Sequence, residues 1–216
     1  MHKLDHIVFG SYTLEEGTEF VENILQTKLS DIGYHKEMGT HNRVVRISET
    51  VYLEVIAIDP KISNLKNRKW FNLDNPNLQS KLKKLPQIIG YVIEYKDINM
   101  SKYHDPFFEA SRSNHKWQFA MPTNKTNIVD SEIISTGIIP SLISWKSEKP
   151  IYQMKKNHFE IISLEIGLSE TLNNFNAFLK SFGEIEHVSP STIREENSSI
   201  FKLKLRDNLR NVVISL

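Results

Sequence analysis

Two short stretches hold the residue types from which chemistry is commonly built. "GTHN", residues 39–42, sets a histidine and an asparagine beside a glycine, and "YLEVIA", residues 52–57, carries one carboxylate, Glu54, in a run of strand formers. An ionised carboxylate inside such a strand needs a cation, a hydrogen-bond donor or water, so Glu54 is expected to serve a pocket rather than an exposed face. His6, in "LDHIVF", titrates near neutrality and is a candidate general base or metal ligand; the simpler alternative is a histidine satisfied by a backbone carbonyl or a carboxylate. His41 and Asn42 stand where a turn opened by Gly39 presents them to a ligand, or where they serve only the turn's own geometry. Arg112 has the fork that binds a carboxylate or phosphate bidentately. Trp117 and Trp145 are candidates for the walls of an apolar cleft, or for core. His35, His104, His115, His158 and His187 fall in loops or at element ends and read as surface.

The composition narrows the classes. Lys and Arg number 27 against 26 Asp and Glu, a net charge of +1, so no excess charge recruits nucleic acid or an anionic membrane. Cysteine is absent, which removes thiolate metal sites and cysteine nucleophiles and leaves His and carboxylate as metal ligands. There is no Gly-rich phosphate loop, no G-x-S-x-G elbow and no H-E-x-x-H pair. His104 and Asp105 are sequence neighbours that do not face each other on a helix. The N-terminus enters an amphipathic pattern without a signal-like apolar region, and no run approaches the roughly 18 apolar residues of a membrane span. The expectation is a cytoplasmic protein that binds a small molecule and no nucleic acid or membrane, with a homodimer as one expected assembly.

The elements that must position these residues recur. "LDHIVFG" reads as a strand and "TLEEGTEFVENIL" as a helix capped by Thr13, with Phe20, Ile24 and Leu25 on its apolar stripe. "RVVRIS" and "VYLEVIA" then read as a hairpin. The order restarts near residue 88, with a helix opening at Asp97 or Asn99 and strands at "KWQFAMP" and "IIPSLISW", and again at "HFEIISLEIG", with a Ser169-capped helix and the strands "SIFKLKL" and "NVVISL". Aligning Thr13 with Asp97 and Thr171 gives shifts of 84 and 158 residues, which match His6 to Gly90 and to Leu164. A polar, Lys-rich stretch over 61–87 joins the first two units, with a short helix expected over 77–85.

Strand, helix and three strands in tandem, with "LDHIVF", then "GTHN" before "YLE", then Arg112, "KWQFA" and the Pro140-led "LISW", resemble the vicinal-oxygen-chelate superfamily and its glyoxalase-like branch. The resemblance implies an α+β fold: tandem βαβββ units over 4–60 and 88–146 enclosing a cleft, a connection over 61–87, and a C-terminal βαββ unit over 158–216 that covers an edge or supports an oligomer. It implies ligand positions on the first and last strand of each unit, which His6 and Glu54 occupy in unit one and which Gly90 and Ser144 occupy in unit two. The expected metal site is therefore half present, with a divalent metal held by His6 and Glu54 as the candidate cofactor. Two functions follow. One is a lyase, isomerase or dioxygenase-type enzyme that uses His6 and Glu54 on a carbonyl-containing metabolite, with His41, Asn42, Arg112, Trp117 and Trp145 contacting it. The other is a metal-free binding or sequestering protein of the bleomycin-resistance type. A scaffold with a vestigial cleft is a third.

Overall fold

A computed structural model describes residues 2–62, 70–95, 103–123, 137–167, 183–191 and 200–216. The first unit runs β1 (Lys3–Gly10), α1 (Leu14–Leu25), β2 (Gly33–His35), β3 (Thr40–Arg46) and β4 (Tyr52–Ile58). Thr13 caps α1 as expected: its hydroxyl accepts from Glu16 N while its own N–H donates to the Glu16 carboxylate, which satisfies two otherwise orphaned donors. After the short helix α2 (Pro76–Leu82), the second unit supplies β5 (Gln87–Glu94), β6 (Phe108–Arg112), β7 (His115–Ala120) and β8 (Ser141–Trp145). The third supplies β9 (Phe159–Gly167), β10 (Val188–Ser191), β11 (Phe201–Asp207) and β12 (Val212–Ser215). The helices expected from Asp97 or Asn99 and from Ser169 lie outside the described residues.

The first two units form one eight-stranded sheet in the order β2-β3-β4-β1-β5-β8-β7-β6. Its arrangement mirrors itself about the central antiparallel pair β1/β5, since β1 pairs β4 in parallel and β5 pairs β8 in parallel. The third unit is a separate four-stranded sheet, β10-β9-β11-β12. It covers a face of the large sheet rather than an edge. Ile161, Leu164, Ile166, Phe201, Leu203 and Leu205 share one buried cluster with Leu4, Ile7 and Phe9 of β1, Leu53 and Val55 of β4, Tyr91 and Ile93 of β5, and Leu14, Val21 and Leu25 of α1. One face of the large sheet is thus closed by α1 and the small sheet, and the other carries the cleft. No helix among the described residues is long and apolar enough to cross a membrane.

Two irregularities set which side chains reach the cleft. The β1/β5 register shifts between Leu4 and His6, so Asp5 is an extra residue in its strand, and shifts again between Val8 and Phe9, where Ile89 is the extra residue. A bulge breaks strict alternation and re-aims a side chain. Consequently His6 shares its side with Val8 but not with Leu4, which turns into the core on the other face. Strict alternation would have grouped all three.

Candidate functional site

The cleft lies on the open face of the large sheet and encloses about 530 Å³ of empty space, its mouth included. His6 stands at its floor, 4 % exposed, with its ring stacked on that of Tyr52 at 4.6 Å. Its Nδ1 lies 2.7 Å from Asp5 Oδ1, and its Nε2 lies 3.5 Å from Glu54 Oε2. A carboxylate only accepts, so the Nδ1 proton points to Asp5 and Nε2 is turned toward Glu54. His6 is thus set between two carboxylates, one at each ring nitrogen.

The flanking contacts hold this geometry from both units. The other Asp5 oxygen accepts from the Trp145 indole N–H at 2.8 Å, and Lys149 Nζ lies 4.0 Å from it while pairing with Glu94 at 2.7 Å. Glu54 Oε1 accepts from Asn42 Nδ2 at 2.5 Å, and Asn42 Oδ1 accepts from Arg112 Nη1 at 2.9 Å. Because a guanidinium has no acceptor, Arg112 fixes the Asn42 amide with its NH₂ toward Glu54. A continuous chain of contacts therefore runs Arg112, Asn42, Glu54, His6, Asp5, Trp145, leaving unit two through β3, β4 and β1 and returning to it. Burial, with the Asp5 and Glu54 charges adding to it, pushes the Tyr52 hydroxyl well above the usual phenol range, so it stays a donor.

The walls are aromatic. Trp70 meets Phe119 edge-on at 4.4 Å, and Trp117 and Trp145 tilt against each other at 5.6 Å. Trp117, Phe119, Ile143 and Trp145 face the cleft because they alternate on β7 and β8 in paired register, Trp117 with Trp145 and Phe119 with Ile143. Ser144 is on the opposite side of β8. Val8 pairs with Glu54 of β4 and Val92, 84 residues on, pairs with Ser141 of β8, so the alignment that set Ser144 against Glu54 is out of step by three residues, and the cleft-facing residues further along β8 are Ile143 and Trp145.

His6, Asn42, Glu54, Arg112, Trp117 and Trp145 all line the cleft. His41 does not. Gly39, at φ 59°, ends a 3-10 turn, and the strand starts at Thr40. His41 and Asn42 are thus strand residues rather than turn residues, and they point to opposite faces. His41 lies within the electrostatic reach of Asp59, Glu15 and Lys61, and burial lowers its pKa. Among the histidines read as surface, His35 and His115 line the cleft, and His104 is buried with Nε2 2.7 Å from the Pro140 carbonyl oxygen. Burial, with Arg112 adding and Glu54 opposing, pushes His35 down to about 4, so its ring stays neutral. Asp5, Tyr52, Trp70 and Phe119 were not singled out in the sequence. Trp70 was visible only as an aromatic residue in a polar stretch, and Asp5 only as the acid beside His6.

The donor set does not fit a divalent metal. Among the described residues no three His, Asp or Glu side chains converge as a metal requires. Beyond His6 and Glu54 the facing wall is Ile143, Trp117 and Trp145, and Asn42 Oδ1 is committed to a cation. In unit two, Ile89 and Gly90 stand 84 residues after Asp5 and His6, at the second bulge, and offer no ligand.

Residues 4–181 match the family model described as a glyoxalase-like domain. A hypothetical protein from Staphylococcus aureus shares the fold over all of this chain and 85% of its own, at 18% identity and a TM-score of 0.57. Streptomyces coelicolor methylmalonyl-CoA epimerase aligns over 68% of this chain and 97% of its own, at 14% identity and a TM-score of 0.46. A 4-hydroxymandelate synthase variant from Streptomyces coelicolor aligns over 68% of this chain and 49% of its own, at 11% identity and a TM-score of 0.42. No curated protein matches the chain.

Proposed function

The chain belongs to the glyoxalase-like domain family, and from that premise we propose that its cleft binds a small carbonyl compound and moves a proton on it without a metal. The observation that carries this reading is the pairing of His6 Nε2 with Glu54 Oε2, 3.5 Å apart on the floor of an aromatic cleft. A proton taken from the carbon beside a carbonyl passes to Nε2, and its electron pair moves onto the carbonyl oxygen. The imidazolium so formed lies between two carboxylates, Asp5 and Glu54, which stabilise it. Returning the proton to the same carbon or to a neighbouring one completes an epimerisation or isomerisation. His6 and Glu54 are the catalytic residues in this scheme, and Asp5 is a positioning residue that fixes the tautomer.

The test uses 4-phenyl-2-butanone, whose benzylic arm suits aromatic walls and whose α-protons exchange with solvent. In D₂O the protein is expected to accelerate deuterium uptake at the α-carbon, followed by proton NMR. His6→Gln and Glu54→Gln are each expected to slow it by about a hundredfold. No acceleration by the native protein, or full acceleration by both variants, sinks the reading. A second function stays in view because of the walls themselves: Trp117 and Trp145 can hold a ligand that is sequestered unchanged. Binding that persists in both variants with no exchange in any of them selects that function.

A further inference from the structure

We propose that the ligand of this cleft is a small organic acid, its carboxylate held between the Arg112 guanidinium and the Trp70 indole N–H, with its carbonyl end toward His6 and Glu54. The carbonyl end rests on the proton-transfer reading; the carboxylate end does not. Trp70 lines the cleft and is 4 % exposed, yet its Nε1 is buried without a hydrogen-bond partner. A buried donor left unpaired is costly, and only an acceptor relieves it, which an ammonium group or a hydrocarbon is not. Arg112 also lines the cleft and has five N–H donors, of which one, on Nη1, is committed to Asn42.

The seat for that guanidinium is shaped. A Cβ built on Gly33 would lie 2.3 Å from Arg112 Nη1 and 2.4 Å from Asn42 Oδ1, so the absence of a side chain at Gly33 makes room for the pair. His35, whose ring centroid is 5.9 Å from that of Trp70, is held neutral and brings no competing charge. Beyond Asn42, on the floor beside His6, Asp5 and Glu54 repel a second carboxylate. An acid therefore enters in one orientation, with its charged group at Arg112 and its remaining carbons over the proton-handling pair.

Two compounds of matched shape test this. 2-Oxo-4-phenylbutyrate carries a carboxylate where 4-phenyl-2-butanone carries a methyl group. By calorimetric titration the native protein is expected to bind the acid at least about tenfold more tightly. Arg112→Gln is expected to reduce that preference below about threefold, and Trp70→Phe to weaken acid binding several-fold. Gly33→Ala keeps the cation but fills its seat, and is expected to erode the preference as Arg112→Gln does. Circular dichroism checks that each variant is folded. Equal affinities in the native protein, no binding of either compound, or a preference that survives both Arg112→Gln and Gly33→Ala overturns the proposal. A tight, Arg112-dependent acid that undergoes no proton exchange overturns the proton-transfer reading and leaves the acid clamp standing. Exchange of the ketone with no preference for the acid does the reverse.

Discussion

A histidine held at Nδ1 by a buried carboxylate keeps its other nitrogen aimed, and here Asp5 imposes this on His6 while Trp145 holds Asp5 in turn. Asp5→Asn keeps the shape but removes the charge that fixes the tautomer and supports the imidazolium. The expected outcome is deuterium uptake by 4-phenyl-2-butanone slowed by about ten- to a hundredfold, with its affinity held, measured by NMR and by titration. An equal loss of affinity would reassign Asp5 to shaping the cleft. Glu54 was legible at this scale, because an acid flanked by Tyr52, Leu53, Val55 and Ile56 has to find a donor. Asp5 was not legible: adjacent residues in a strand are expected on opposite sides, and only a bulge puts both at one site. His35 was missed because β2 has three residues, too few for alternation to show.

Strand parity decided the site more than residue identity did. Gly39 ends a 3-10 turn in the left-handed region, so alternation is counted from Thr40 and sends Asn42 into the cleft and His41 away from it. Reading "GTHN" as a turn hides that count. The 84-residue repeat was legible, and the bulges at Asp5 and Ile89 recur at that spacing, but the matching of Ser144 to Glu54 slipped three residues, past Ser141, because apolar runs on both faces give no alternation to align. The Ile89 bulge depends on a close approach of backbone: at Gly137, φ is 75° and a built Cβ would lie 1.9 Å from the Ile89 carbonyl oxygen. Gly137→Ala meets both strain and clash. It is expected to cost about 2 kcal/mol or more of stability, read as a lower midpoint in urea denaturation. A midpoint within error of the native one would show that this approach does not hold the strand.

The order of units was readable from sequence, but the place of the last one was not. Its strands show one apolar and one mixed face, a pattern equally suited to an edge, a partner copy or a face of the same molecule. The structure gives the third, and one cluster runs from Leu203 and Leu205 to Ile7 and Phe9, directly behind the strand that carries His6. Leu203→Ala, in a fully buried position, is expected to cost about 3 kcal/mol. Far-ultraviolet ellipticity and the proposed proton-exchange activity of the cleft should then be lost at the same, lower denaturant concentration. Two separate transitions would mean that the sheets unfold independently. The sequence holds three tryptophans, and Trp70, Trp117 and Trp145 all border the cleft. The molecule therefore carries a built-in optical label: selectively excited indole emission comes from one place, and its quenching by a dissolved collider reports the opening of that place without any dye attached.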